Sequence, residues 1–293
     1  MTEILVTGGT GQLATALRVA APSRVRIVGR PAFDFDRPET IAALFAGAPP
    51  ALIVNAAAWT AVDLAESEPE AARRANEDGP ARLAELCAAH GTHLIHLSTD
   101  YVFDGTKGAP YTESDAVNPT GVYGATKLAG ERGVLAALPG AVILRTAWVY
   151  AEGGKNFVRT MLNAATRTDR LRVVADQRGC PTNADDLAQA VLSVAARMRG
   201  GGAPGGIYHA TGSGETTWHG FATEIFRIAG PLGCKTPAVD PIATADWPTP
   251  ARRPADSRLD CGKLAATFGV HLPDWRPSLA RAVAAICSAS VAA

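Results

Sequence analysis

The chain of 293 residues has no net charge, its 28 lysines and arginines matching 28 aspartates and glutamates. No global field draws it to nucleic acid or to an anionic membrane, so any phosphate it holds must be gripped locally. Cysteine is scarce. The five present (Cys87, Cys180, Cys234, Cys261 and Cys287) are scattered, odd in number and form no C-x-x-C pair. That pattern argues against a structural zinc and against a disulfide framework. No uninterrupted apolar run approaches a membrane span. The N-terminus is expected to enter a strand by residue 3, without a basic, signal-like leader. These absences predict a cytoplasmic protein with neither a nucleic-acid nor a membrane partner. The 19% of charged residues exclude a disordered chain, and the 47% of hydrophobic residues support a substantial core.

What is present begins at the N-terminus. The apolar run Ile4-Leu5-Val6 leads into Thr7-Gly8-Gly9-Thr10-Gly11-Gln12-Leu13-Ala14, a strand, a glycine turn and a helix start. That is the context of a dinucleotide fingerprint. Gly8 permits the turn, Gly11 lets backbone approach a pyrophosphate, and the following amides face the anion. Ala14 takes the place of the third glycine. Gly8, Thr10, Gly11, Gln12 and Leu13 are therefore candidate cofactor contacts. The G-x-x-G-x-x-A spacing is a variant common among short-chain dehydrogenases/reductases.

The first half goes on to alternate short apolar runs with helical patterns, which predicts an α/β, Rossmann-type, doubly wound parallel sheet. We expect a nucleotide-binding domain over 1–150, continuing in part through 183–210, and a smaller, mainly substrate-binding α/β region over 151–293. Val25 to Val28 reads as the second strand. At its end Arg30 suits a 2′-phosphate, while Asp34 and Phe35 just beyond could serve the adenosine end. NADPH and NADH both remain open. Pro38 to Ala46 is predicted as a short helix and Ala51 to Val54 as the third strand. Asn55 is read as breaking out of that strand, and Ala56, Ala57 and Ala58 let a cofactor lie against the backbone. Asp78 to His90 reads as a helix and Thr92 to Ser98 as the fourth strand. His93 and His96 on that strand lack a third ligand and read as structural, so no metal site is expected.

Ser98 to Lys127 carries the chemistry. Tyr123 and Lys127 are four residues apart and share one helix face. Thr99 ends the apolar run of Leu94, Ile95 and Leu97, where a strand delivers its hydroxyl to the top of a sheet. A free tyrosine titrates near ~10, and an ammonium one turn away is expected to lower that value. Hydroxyl, phenol and ammonium together suit proton transfer at a carbinol oxygen.

Further on, the tyrosine helix should run to about Leu138, with the next strand over Ala141 to Arg145. Trp148 beyond it is either core or substrate floor. Asn156 to Ala165 and Asp185 to Met198 read as helices, Leu171 to Val174 as a strand and Asp176 to Thr182 as a turn. Gly200 to Gly206 is a connector. Ile207 to Ala210 reads as a strand, and Thr217-Trp218-His219 starts a helix carrying Phe221, Ile225 and Ile228. In the proline-bounded stretch Thr249 to Leu259, Arg252, Arg253 and Arg258 either grip a diphosphate or form a solvated basic loop.

Over nearly its whole length the chain resembles the dTDP-4-dehydrorhamnose reductase family of the extended short-chain dehydrogenases/reductases. The resemblance rests on Gly8 to Gln12, N-A-A-A-x-T-A-V-D (Asn55 to Asp63), Ala65 to Glu70, S-T-D-Y-V-F (Ser98 to Phe103) and Tyr123 to Glu131. It continues through Arg145 to Ala151, Asp176 to Thr182, Thr216 to His219, P-T-P-A-R-R-P-x-x-S-R-L (Pro248 to Leu259) and Leu272 to Trp275. It implies reduction of the C4 keto group of dTDP-4-dehydro-L-rhamnose by NAD(P)H, with Thr99, Tyr123 and Lys127 as the catalytic triad. It also implies substrate contacts from Thr60, Val62, Thr99, Asp100, Tyr101, Trp148, Arg252, Arg253 and Arg258. Tyr123 and Lys127 would touch the cofactor as well.

Two positions depart from the family pattern. Trp59 stands where histidine is common. Ala16 stands where some relatives carry an acidic residue that binds magnesium across a dimer, so magnesium is not expected, and monomer and homodimer both stay open. Two other readings compete: a nucleotide-sugar epimerase or dehydratase that retains its NAD⁺, and a non-catalytic relative such as the regulatory subunit of methionine adenosyltransferase.

Overall fold

The computed structural model describes residues 4–291. The expected strand entry at residue 3 lies outside the described residues, and β1 is described as Ile4–Thr7. β2 is Val25–Val28, β3 Leu52–Asn55, β4 His93–Thr99 and β5 Val142–Thr146. With Gly206–His209 they form one six-stranded sheet, ordered 206–209, β5, β4, β3, β1, β2. Every neighbouring pair is parallel. Ile4, Leu5, Val6, Leu52, Ile53 and Val54 are all fully buried, as strands covered by helices on both faces must be.

On one face lie α1 (Gln12–Ala20) and the helix Ala184–Arg199, which bring Leu13, Leu17, Leu187 and Val191 against Ile4, Val6 and Leu52. On the other, the helices Gly79–His90 and Val122–Ala137 bring Leu83, Cys87 and Val134 against Leu5, Ile53 and Ile143. The chain leaves β1 for β2 on one side and then crosses to β3 on the other. The gap between β1 and β3 at their carboxyl ends is thus a topological switch point, where such sheets bind ligands.

A third core gathers Phe221, Ile225, Trp275, Leu279 and Val283 from the helices Trp218–Ala229 and Trp275–Val291, together with Tyr150 and Val158. Among the described residues no helix is long and apolar enough to cross a membrane.

Several boundaries differ from expectation. The helix expected to reach Ala46 ends at Ala43, ahead of Gly47, Pro49 and Pro50. Asn55 does not break out of β3: it ends that strand in register with His96. The helix expected from Asp78 is preceded by Pro69–Arg73 and a π-helical stretch, Arg74–Asp78. The expected turn at 176–182 contains a two-residue strand, Arg178–Gly179, antiparallel to Thr216–Thr217.

Candidate active site

Beyond β1 the chain turns through Gly8 and Gly9, with φ of 105° and 55°, conformations that side chains rarely tolerate. A Cβ on Gly8 would stand 3.0 Å from the carbonyl carbon and oxygen of Ala56. The glycine turn and the loop after β3 therefore meet backbone to backbone across the switch point. α1 starts at Gly11 without a side-chain cap, leaving its first amides to an anion. This is a cradle of the kind a dinucleotide requires.

The predicted cofactor residues divide by what their side chains do. Thr10 is exposed, and Ala56, Ala57 and Ala58 are half-buried. Gln12 Oε1 accepts from Asn156 Nδ2 at 3.0 Å. Leu13 and Phe35 are buried in the two cores flanking the sheet, so only their backbone can face a ligand. Arg30 is exposed and pairs with Asp34 at 3.1 Å and Asp36 at 3.9 Å. Ala16 is buried on the core face of α1. Among the described residues no group of three or more His, Cys, Asp or Glu could hold a metal ion.

β4 and the helix Val122–Ala137 bring Thr99, Tyr123 and Lys127 together. A Cβ on Gly124 would fall 2.2 Å from the Tyr101 carbonyl, and one on Gly130 would fall 1.9 Å from the Asn76 carbonyl. Two bare positions thus let the tyrosine helix press onto its neighbours. Tyr123 packs edge-on against Tyr101, ring centroids 5.5 Å apart, with the Thr99 side chain close enough to bear on its titration. Thr99 Oγ1 donates to Asp100 Oδ1 at 3.0 Å and accepts from the Tyr101 amide at 3.2 Å.

Burial governs the titration of this group. It raises Tyr123 to about 12, with the neighbouring Thr99 side chain opposing, and the Asp100 charge adds to the rise. Asp100 is itself pushed up to about 6 by burial. Lys127 is brought down to about 8 by burial, with Glu131 opposing. The expectation that Lys127 lowers the tyrosine value is corrected here. Lys127 Nζ donates to the Leu97 carbonyl at 2.6 Å and lies 3.4 Å from His96 Nε2, and burial of the phenol sets the tyrosine value. Beneath it Glu131 and Arg145 form a buried two-point pair, Nε–Oε1 at 2.8 Å and Nη2–Oε2 at 2.6 Å, with Ser98 donating to the same carboxylate.

Residues 1–288 match the family described as RmlD substrate binding domain. The chain belongs to this family. It is 49% identical over 288 residues to a dTDP-4-dehydrorhamnose reductase of Sinorhizobium fredii, covering 97% of each chain. Among solved structures, that of a dTDP-4-dehydrorhamnose reductase from Clostridium acetobutylicum is 38% identical, with a TM-score of 0.90 over 96% of this chain and 98% of the other. The Bacillus anthracis enzyme of the same name, in complex with NADP, is 30% identical, with a TM-score of 0.89 over the same shares. The Rossmann-type fold read from the sequence is thus shared with these members of the RmlD family.

On the substrate side, Thr60 is exposed and Val62 half-buried in the segment after β3. Trp148, at a positive φ of 48°, stacks on Trp218 with ring centroids 3.5 Å apart. A Cβ on Gly179 would fall 2.4 Å from the Trp148 ring, so the indole is held between glycine and a second indole. A cleft of about 460 Å³ runs along 247–255, lined by Asp104, Gln177, Trp247, Arg252 and Arg253 among others.

The three arginines separate cleanly. Arg252 is exposed, and among the described residues its guanidinium has no partner. Arg253 is bound by Asp63. Arg258 is buried, pairing with Asp256 at 2.6 Å and with Glu215. Its donors are committed within the protein.

Sequence reasoning passed over Asn76 and Trp247, and read Trp218 only as a helix start. Asn76 is fully buried, accepts from the Trp59 amide at 2.9 Å and donates to the Trp59 carbonyl at 3.1 Å and to Thr126 at 3.2 Å. It fastens the loop after β3 to the tyrosine helix. An asparagine inside a helical stretch, where it is a poor helix former, was the available signal.

Proposed function

We propose that this RmlD family member is a dTDP-4-dehydrorhamnose reductase, reducing the C4 carbonyl of dTDP-4-dehydro-β-L-rhamnose to the alcohol with NADPH or NADH. One observation carries the reading: the helix Val122–Ala137 sets Tyr123 one turn from the buried Lys127, beside Thr99 at the end of β4. It does so in a chain 49% identical to a relative of that name.

The Gly8 turn, the free amides of α1 and the Ala56 to Ala58 backbone would hold the dinucleotide, with Lys127 on its nicotinamide ribose. When bound, the nicotinamide supplies hydride to the carbonyl carbon. The protein's own part is the proton. At about 12, Tyr123 enters as the neutral phenol, the form a general acid needs. It gives its proton to the oxygen as negative charge develops there. Thr99 holds the phenol in line, and Asp100, Tyr101 and Trp148 border the sugar. Arg252 is the arginine free to take the diphosphate. A nicotinamide dinucleotide and a nucleotide sugar are both intracellular metabolites, so the reading places the enzyme in the cytoplasm, as monomer or homodimer.

The test is loss of NAD(P)H absorbance with enzymatically prepared dTDP-4-keto-L-rhamnose, the product identified by mass. Stoichiometric cofactor consumption is expected. Retention of tightly bound NAD⁺ with no net consumption would point to an epimerase or dehydratase. Binding without turnover would point to a regulatory relative.

A further inference from the structure

Four buried polar side chains line up across the carboxyl edge of the sheet. Thr7 closes β1, Asn55 closes β3, His96 sits in β4, and Lys127 comes from the tyrosine helix. None is more than 2% exposed. The contacts between them are Thr7 Oγ1 to Asn55 Oδ1 at 2.6 Å, Asn55 Nδ2 to His96 Nδ1 at 2.9 Å, and His96 Nε2 to Lys127 Nζ at 3.4 Å. At the far end the Ala57 amide reaches Thr7 Oγ1 at 3.2 Å.

The Asn55 side chain gives the row a direction. Its carbonyl oxygen accepts from the Thr7 hydroxyl, which itself accepts from the Ala57 amide. The amide nitrogen of Asn55 then faces His96 and donates to Nδ1. Burial holds His96 well below its ordinary range, so the ring is neutral and carries one proton. With Nδ1 accepting, that proton is on Nε2, pointing at the lysine.

We propose that His96 is a positioning residue for Lys127: the one-way row from the Ala57 amide through Thr7 and Asn55 fixes its Nε2–H tautomer and presents an N–H to the lysine nitrogen. That arrangement favours the amine over the ammonium. The amine donates to the Leu97 carbonyl and accepts from His96. The same row ties the lysine to the glycine turn and to the alanine loop, the two backbone segments read above as the dinucleotide cradle. The proposal rests on that reading for its purpose and, for its content, on hydrogen-bond direction together with the burial of a neutral His96.

Another charged group bears on Lys127. Glu131 lies on its own helix, one turn on, and is paired with Arg145 on β5. Thr7→Val alters neither. It keeps the shape of the side chain but removes the group that sets the orientation of Asn55.

The experiment uses the whole protein and no substrate. Ring ¹⁵N NMR, with the His96 signals assigned by His96→Gln, reports the tautomer. Lysine ¹³Cε shifts followed against pH, assigned by Lys127→Arg, report the titration of Lys127. We expect Nε2–H in the wild type. In Thr7→Val we expect a mixture of tautomers and a Lys127 midpoint raised by on the order of one pH unit. An Nδ1–H tautomer in the wild type overturns the proposal. So does an unmoved Lys127 midpoint in a folded Thr7→Val, because a merely structural His96 leaves it in place. Neither readout involves the sugar, so failure here and failure of the reductase reading are distinguishable.

Discussion

Asp63 and Arg253, 190 residues apart in the chain, close a two-point ion pair, Nη2 to Oδ2 at 2.7 Å and Nη1 to Oδ1 at 3.1 Å. Asp63 also accepts from the Ala251 amide at 3.2 Å. The pair pins the proline-bounded arginine segment over the short helix Val62–Ala65. A few residues on, Glu66 accepts from the Val122 amide at 2.8 Å at the start of the tyrosine helix. One short stretch after β3 thereby positions both the tyrosine helix and the cleft wall.

The arginines are therefore expected to respond differently to alanine. Arg252→Ala should raise KM for the nucleotide sugar with a normal thermal melt. A charged hydrogen bond of ~1.5–3 kcal/mol corresponds to a rise of about 10- to 150-fold. Arg258→Ala strands Asp256 without its cation, leaves Glu215 only its pair with Arg178, and should lower Tm. Arg253→Ala should do some of both. A normal KM in Arg252→Ala would move the diphosphate elsewhere.

For the acid, Tyr123→Phe keeps the ring and removes the proton, so kcat should fall by at least ~10²-fold. Cofactor affinity, measured by fluorescence titration, should be retained. Near-normal turnover would remove Tyr123 from the mechanism.

Asp100 supplies a stability prediction whose sign is fixed by its environment. Its folded value is raised to about 6 from an ordinary 3.8. The native state therefore binds the extra proton between those values, and the stabilising effect is lost as pH rises through about 6. Above that pH the ionised carboxylate costs on the order of 3 kcal/mol. Asp100→Asn should melt higher than wild type at pH 7 to 8, with the gain disappearing below about pH 4. The same change removes a charge that raises Tyr123, so the tyrosine value should fall.

Cofactor choice turns on Arg30, which is exposed and paired with Asp34 and Asp36. A 2′-phosphate must compete with those carboxylates, so the gain from the arginine is expected to be modest. kcat/KM for NADPH should drop in Arg30→Ala while that for NADH holds. Equal effects on both cofactors would assign Arg30 to the surface ion pairs alone.

The sequence by itself determined the sheet, the glycine turn and the placing of Thr99, Tyr123 and Lys127. Each of these rests on short-range rules: apolar runs of strand length, a glycine where φ must be positive, and a four-residue spacing on one helix face. Only the tertiary structure decided what those groups do to one another. Spacing placed Lys127 beside Tyr123, but the Leu97 carbonyl and His96 claim its amine, and burial sets the tyrosine value. Three neighbouring arginines look alike in the chain, yet one is exposed, one bound to Asp63 and one buried between Asp256 and Glu215. Desolvation and ion pairing depend on distances between segments far apart in the chain, and no local pattern carries that information.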